Sequence, residues 1–207
     1  MKHAVIVAHP NPRSLACAVG MAYAEAVRAR GHSVVVRDLY RMDFDPRLKA
    51  AEIPKPSGFQ VGADVAAERE QLADVDFFAF VYPFWFNAPP AILKGYVDRV
   101  FSMGFGYGPG LGGTEGLLEG KKLISFTSSG APISWTRETG ALQALMSLFD
   151  LHLAHMTGLR ILDHVHVGGI VSDITREAFE DVIAGVHAAM KVQFDPAGGT
   201  VGLRTGT

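Results

Sequence analysis

Three short stretches of this chain hold side chains whose chemistry exceeds what packing requires. The first is Pro83-Phe84-Trp85-Phe86-Asn87, three large aromatics in a row directly after the apolar run Phe77, Phe78, Phe80 and Val81. Apolar surface left in water is costly, so such a triplet in a loop is either a mini-core that pins the loop or a wall for a flat, polarisable ring. The second is His9-Pro10-Asn11-Pro12-Arg13-Ser14. Ser14 suits a helix N-cap, and the free N–H groups of a helix N-terminus beside Arg13 favour an anion such as phosphate; a plain solvated turn is the alternative. The third is Thr127-Ser128-Ser129-Gly130, where small hydroxyl residues and a glycine let backbone N–H groups approach a ligand closely.

Each stretch follows an apolar run that reads as a strand, over residues 3–8, 76–82 and 121–127. Pro83 ends the second of these, because proline cannot donate to a ladder. Helical spacing predicts helices over residues 14–30, 64–74, 91–101, 138–156 and 179–192, and two further strands over 33–38 and 160–167. The order is β-α repeated five times, without a repeat or a domain break. This predicts a flavodoxin-like doubly wound five-stranded parallel sheet with helices on both faces. The domain is expected over residues 1–194, with a poorly ordered glycine-rich tail over 195–207. In such sheets ligands bind at the carboxyl ends of the strands, where all three stretches lie.

Residues 39–63 lack periodicity and carry Pro46, Pro54, Pro56 and Gly58, so they read as a long surface excursion in which Phe59-Gln60 is the most site-like piece. Residues 102–113 hold six glycines, with Phe105 and Tyr107 among them, and are expected to be irregular, a lid or wall of a site. His164 and His166 share a strand face and His152 and His155 are three apart on a helix, yet neither cysteines nor an H-E-x-x-H pattern supports a metal, and structural histidines are far commoner. The first loop lacks the G-x-G-x-x-G of a dinucleotide fold and the Walker pattern, and a G-x-S-x-G elbow is absent.

The 207 residues, 48% apolar and 19% charged, can bury a full core. A net charge of −2 makes no case for nucleic acid or an anionic membrane surface. No stretch reaches membrane-spanning length, the N-terminal apolar run is too short for a signal core, and Cys17 is the lone cysteine, so a soluble, cytoplasmic protein is expected.

These residues resemble the NAD(P)H:quinone oxidoreductase, or DT-diaphorase-like, flavoproteins over nearly the whole chain to about Val192. The resemblance rests on Ala8-His9-Pro10 with Ser14, Asp38-Leu39-Tyr40, Phe59-Gln60, Pro83 with its aromatic triplet, and Thr127-Ser128-Ser129-Gly130. It also rests on Pro90-Ala91-Ile92-Leu93-Lys94-Gly95, the most specific block, on Asp98-Arg99-Val100-Phe101 and on Gly104-Phe105-Gly106-Tyr107.

The resemblance implies a flavin, usually FAD and in related proteins FMN, reduced by NADH or NADPH and reoxidised by a quinone. By matched position His9, Ser14, Leu15 and Ala16 would hold its phosphate and ribityl part, and Gln60 would reach it from the long loop. Pro83, Phe84, Trp85 and Phe86 would line the isoalloxazine, and Thr127, Ser128, Ser129 and Gly130 would face its pyrimidine edge. Phe86, Asn87 and Tyr107 would act at the catalytic pocket, with Gly106 and Gly108 beside Tyr107 on the substrate. The Tyr107 loop would close over a partner subunit's flavin, which implies a homodimer with the site at its interface. Two departures stand out: the stretch after Gly130 lacks the Tyr…His pair that serves the animal enzymes as a proton relay, and Ser129 stands where glycine is common. Other readings are a regulatory flavoprotein docking on a membrane transporter or channel, and a flavodoxin-like electron carrier, the latter disfavoured by the small net charge.

Overall fold

Phe77–Pro83 is buried at every position, which only a central strand covered on both faces can be. In the computed structural model, which describes residues 1–56, 58–171 and 174–194, the elements run β1 (Lys2–Val7), α1 (Leu15–Arg28), β2 (Ser33–Asp38), α2 (Ala63–Leu72), β3 (Phe77–Pro83), α3 (Ala91–Val100), β4 (Tyr107–Gly110), β5 (Gly113–Gly116), β6 (Lys122–Ser128), α4 (Ile133–Glu138), α5 (Ala141–Leu145), α6 (His152–Thr157), β7 (Arg160–Val167) and α7 (Arg176–Phe194). Five strands form one sheet in the order β2-β1-β3-β6-β7, all parallel. The expected doubly wound topology is therefore observed. The expected tail over 195–207 lies outside the described residues.

Period-two alternation divides each strand between two cores. Ile6, Phe78, Phe80, Tyr82 and Leu123 face Leu93, Tyr96 and Val100 of α3 and Phe149. Val5, Val7, Val81, Ile124 and Phe126 face Val19, Tyr23 and Val27 of α1 with Val186 and Met190 of α7. This alternation also decides which polar side chains near the carboxyl edge can meet.

Two segments differ from expectation. The helix expected over 138–156 starts earlier and is broken: Gly140 adopts φ 71° between α4 and α5, and a π-helical turn spans Met146–Leu151 before α6. The wider turn leaves Asp150 2% exposed beside the sheet. The glycine-rich stretch is regular, since β4 and β5 pair as an antiparallel hairpin. Close approach explains Gly106 within it and Gly116 at the end of β5: a Cβ on Gly106 would lie 2.1 Å from the Phe101 carbonyl oxygen, and one on Gly116 would lie 2.4 Å from the Thr157 carbonyl carbon. Phe105 is packed, edge-on to Phe101 and under the Arg69 guanidinium.

His3 is fully buried, bonded to the Tyr23 hydroxyl at 2.8 Å and His32 at 2.9 Å and stacked on Phe77 at 4.5 Å. Burial, then the neighbouring His32, depresses its pKa to about 4. The unfolded chain therefore binds more protons between pH 6.5 and 4, and stability falls as pH falls through that window. Lowering the pH from 7 to 5 is expected to cost about 2 kcal/mol from this group alone. Thermal denaturation across pH measures it, and a His3→Gln variant should flatten the profile.

Candidate functional site at the carboxyl edge of the sheet

The loop after β1 begins the site. His9 Nδ1 accepts the Asn11 N–H at 3.0 Å, and burial lowers the His9 pKa. The ring is thus neutral, with Nε2–H left to donate. Ser14 caps α1 by accepting the Cys17 N–H at 3.2 Å. The N–H groups of Leu15 and Ala16, in the first turn, meet no acceptor among the described residues, as expected of a helix start. His9, Arg13, Ser14, Leu15 and Ala16 line one side of a cleft of about 310 Å³.

The loop after β3 forms the second side. Trp85 and Ala88 exchange backbone hydrogen bonds at 3.1 and 3.0 Å, closing a two-residue turn in which Phe86 and Asn87 take φ 47° and 58°. Two left-handed residues are the signature of a type I′ turn, where asparagine is at home and phenylalanine is not. The Phe86 ring is fully exposed, so no packing within the chain compensates the strain. Phe86→Gly should relieve about 1–2 kcal/mol of left-handed strain against about 0.5–1 kcal/mol of backbone entropy. A melting temperature raised by about 1–4 °C is expected in a thermal scan.

The loop after β6 closes the cleft. Ser129 donates its N–H to Val167 at 2.9 Å, and Ile170 donates to the Ser129 carbonyl at 2.8 Å. Pro83, Phe84, Trp85, Ser128, Ser129 and Gly130 line the same cleft as the helix N-terminus. A second cleft of about 440 Å³ shares Phe84, Ser129 and Gly130 with it and adds Phe86, Asn87 and Trp135. The two form one trough, which leads from unpaired N–H donors at α1 to exposed aromatic faces.

Gly130 tests what the trough is shaped for. A Cβ there would meet only the Ile170 carbonyl at 3.6 Å, an ordinary contact, and its φ is not in the left-handed region. The chain's own packing does not require glycine at 130; its missing side chain leaves room in the trough. An anion-binding end, an aromatic end and a bare backbone between them fit a phosphate-bearing planar ring.

The structure thus gathers His9, Ser14, Leu15, Ala16, Pro83, Phe84, Trp85, Phe86, Asn87, Ser128, Ser129 and Gly130 at one edge. Thr127 lies just behind, with its hydroxyl turned to His164 and His166. Gln60 does not line the trough; its N–H holds the Ala51 carbonyl at 2.8 Å and the residue is exposed. Tyr107 lies in a separate cleft of about 260 Å³ with Lys94, Ser102 and His152, so residues 106–108 do not reach the trough of their own chain. Trp135, half exposed beside Gly130, has no role on sequence grounds, where the available signal is a tryptophan a few residues past Gly130.

A family model described as the flavodoxin-like fold matches residues 1–190. A Haemophilus influenzae protein named an uncharacterized NAD(P)H oxidoreductase is 32% identical over 187 residues, which cover 89% of this chain and 93% of that protein. The human ribosyldihydronicotinamide dehydrogenase (quinone) is 30% identical over 152 residues, and the match spans 65% of its length. The structure of an NAD(P)H:quinone oxidoreductase from Methanothermobacter marburgensis superposes with a TM-score of 0.76 at 27% identity, covering 94% of this chain and 96% of that one.

Proposed function

The chain belongs to the flavodoxin-like NAD(P)H oxidoreductase family, and on that footing we propose that it is an NAD(P)H dehydrogenase of quinones that works through a bound flavin, by hydride transfer in ping-pong order. The observation that carries the reading is the single trough joining the α1 N-terminus, the strained aromatic turn and Gly130.

A flavin, when bound, supplies reversible hydride storage. The residues of this chain bind and orient it. The N–H groups of Leu15 and Ala16, Ser14 and the neutral His9 suit its phosphate and ribityl part. Pro83, Phe84 and Trp85 suit the ring, and Phe86 and Asn87 present the face on which donor and acceptor alternate. The backbone N–H of Gly130, which meets no acceptor among the described residues, suits negative charge at the ring's pyrimidine edge, as a preorganised dipole does in an oxyanion hole. Excluding water there holds the reacting groups at transfer distance.

FAD is the proposed form, and a homodimer the proposed assembly. Leu148, mostly exposed, lines the Tyr107 cleft, and Leu111 at the turn of the β4–β5 hairpin is fully exposed, which supports a second copy covering these residues and bringing Gly106, Tyr107 and Gly108, and with them Gln60's long loop, toward the partner's site. A cytoplasmic location belongs to the same reading; among the described residues, no helix is long and apolar enough to cross a membrane.

The purified protein should be yellow, and NADH or NADPH should bleach it without oxygen until a quinone is added. Extraction and mass measurement identify the flavin. A protein that takes up neither FAD nor FMN ends the reading.

A further inference from the structure

Behind the trough, six side chains form one connected hydrogen-bonded network. The parallel register sets Ser125 opposite His164 and Thr127 opposite His166, and the period of two puts Ser129 on the same face. Asp150 Oδ2 bonds His164 Nδ1, and Asp150 Oδ1 accepts the Ser125 hydroxyl at 3.0 Å. Thr127 Oγ1 lies 2.8 Å from both His164 Nε2 and His166 Nδ1. His166 Nε2 lies 3.0 Å from Ser129 Oγ, which is also 2.9 Å from the Ala131 carbonyl. Asp150 at the inner end is 2% exposed, and Ser129 at the outer end, 7% exposed, lines the trough.

With His166 kept neutral by its lowered pKa and Asp150 accepting from His164, counting donors leaves two arrangements, because a hydroxyl has one proton to give. Suppose Ser129 donates to Ala131. His166 must then donate from Nε2 to Ser129, Thr127 must donate to His166 Nδ1, and His164 must donate from both nitrogens, to Thr127 and to Asp150. Suppose instead that Ser129 donates to His166 Nε2. Every link from Ser129 to His164 then reverses and the bond to Ala131 is given up: His166 donates from Nδ1 to Thr127, Thr127 donates to His164 Nε2, and His164 keeps only the proton it gives Asp150. The first arrangement holds one proton more than the second.

We infer that Ser129, His166, Thr127 and His164, anchored by Asp150, are a one-proton relay that protonates the substrate in the trough. The inference rests on the quinone-reductase reading. A quinone that receives a hydride, derived from NAD(P)H, which leaves as NAD(P)⁺, needs one proton to become a hydroquinone. Ser129 releases its hydroxyl proton to the quinone oxygen and takes the Nε2 proton of His166. His166 takes the Thr127 proton at Nδ1, and Thr127 takes the Nε2 proton of His164. Water entering after product departure returns one proton through the same mouth. This chain stands in place of the Tyr…His pair that the sequence lacks.

The surroundings suit the role. Burial, then His164 and Arg137, lowers the His166 pKa to about 4, so His166 stays neutral and works by changing tautomer. The Phe84 ring covers it edge-on at 5.6 Å. Tyr82, whose raised pKa reflects burial and then Asp150, has a hydroxyl with no hydrogen-bond partner among the described residues, so it does not compete for the proton.

Two measurements test the relay. In the flavin-free full chain, ¹⁵N NMR of the imidazoles across pH should show His166 switching from Nδ1–H to Nε2–H as the network takes up its one proton, and Thr127→Val should abolish the switch while Thr127→Ser retains it. A His166 tautomer that stays fixed across pH overturns the relay whether or not the protein is a reductase. In the flavin-loaded protein, Thr127→Val should lower quinone turnover about 10–100-fold, Thr127→Ser should restore it, and ferricyanide, which takes electrons without protons, should be reduced at the wild-type rate. Equal loss with both acceptors, or no loss with either, overturns the relay; failure to load flavin overturns only the quinone-reductase reading.

Discussion

Arg99→Ala is expected to lower stability by about 3–5 kcal/mol, a drop of about 6–20 °C in melting temperature for a chain of this size. The Arg99 side chain is fully buried. It donates to Glu52 Oε2 and Oε1 at 2.9 and 2.7 Å, to Asp64 Oδ2 and Oδ1 at 2.7 and 3.0 Å, and to the Asp45 carbonyl at 2.6 Å. Arg99 holds the Glu52 carboxyl below its ordinary pKa, and Glu52 is itself 5% exposed. Removing the guanidinium strands that carboxylate away from water, and the segment between β2 and α2 loses its attachment to α3. An Arg99→Leu, Glu52→Leu double variant should recover much of the loss, because the penalty lies in the unpaired charge rather than in the missing bonds. Urea denaturation of the single and double variants measures both. Additive losses would show that the ion pair is not what holds the segment.

Gly130→Val is expected to leave the fold intact and weaken flavin binding about 10–100-fold. The new Cβ meets nothing closer than 3.6 Å within the chain, so the melting temperature of the flavin-free protein should move by no more than about 2 °C, as for other substitutions without packing conflict. The added methyl groups instead occupy the trough between Phe84 and Ser129. Forcing extra methylenes into a fitted space costs about 1–3 kcal/mol, and each 1.4 kcal/mol is tenfold in affinity. Fluorescence titration of the flavin-free protein reads the change directly. Unaltered affinity would mean that the ring lies elsewhere. Gly130→Ala should fall between the two.

Legibility followed the range of the interactions. The strand at Phe77–Pro83 was readable because burial on both faces leaves an unbroken apolar run, and Ser14 was readable as a cap because capping spans three residues. The Phe86 strain was not: the aromatic triplet is visible in sequence, but its left-handed backbone follows from the closure of Trp85 on Ala88. The glycines over residues 102–113 suggested irregularity, since glycine's freedom and glycine's smallness look alike in sequence. Packing on Phe101 shows that smallness was the operative property at Gly106, as packing on Thr157 does for Gly116 just beyond the stretch. His164 and His166 were seen to share a face, but Ser125, Thr127 and Ser129 alternate in the same way, and that polar stripe was the overlooked sign of a matching strand.

The sequence by itself determined the sheet, the order of its elements and the three loops at the carboxyl ends of its strands, because hydrophobic period and caps act within a few residues. The tertiary structure decided which of those loops share a trough, that Arg99 meets Glu52 across 47 positions, and that Asp150 meets His164 across 14. Those pairings depend on strand register and on one widened helical turn, which no local pattern encodes, because they arise only when distant segments compete for the same buried space.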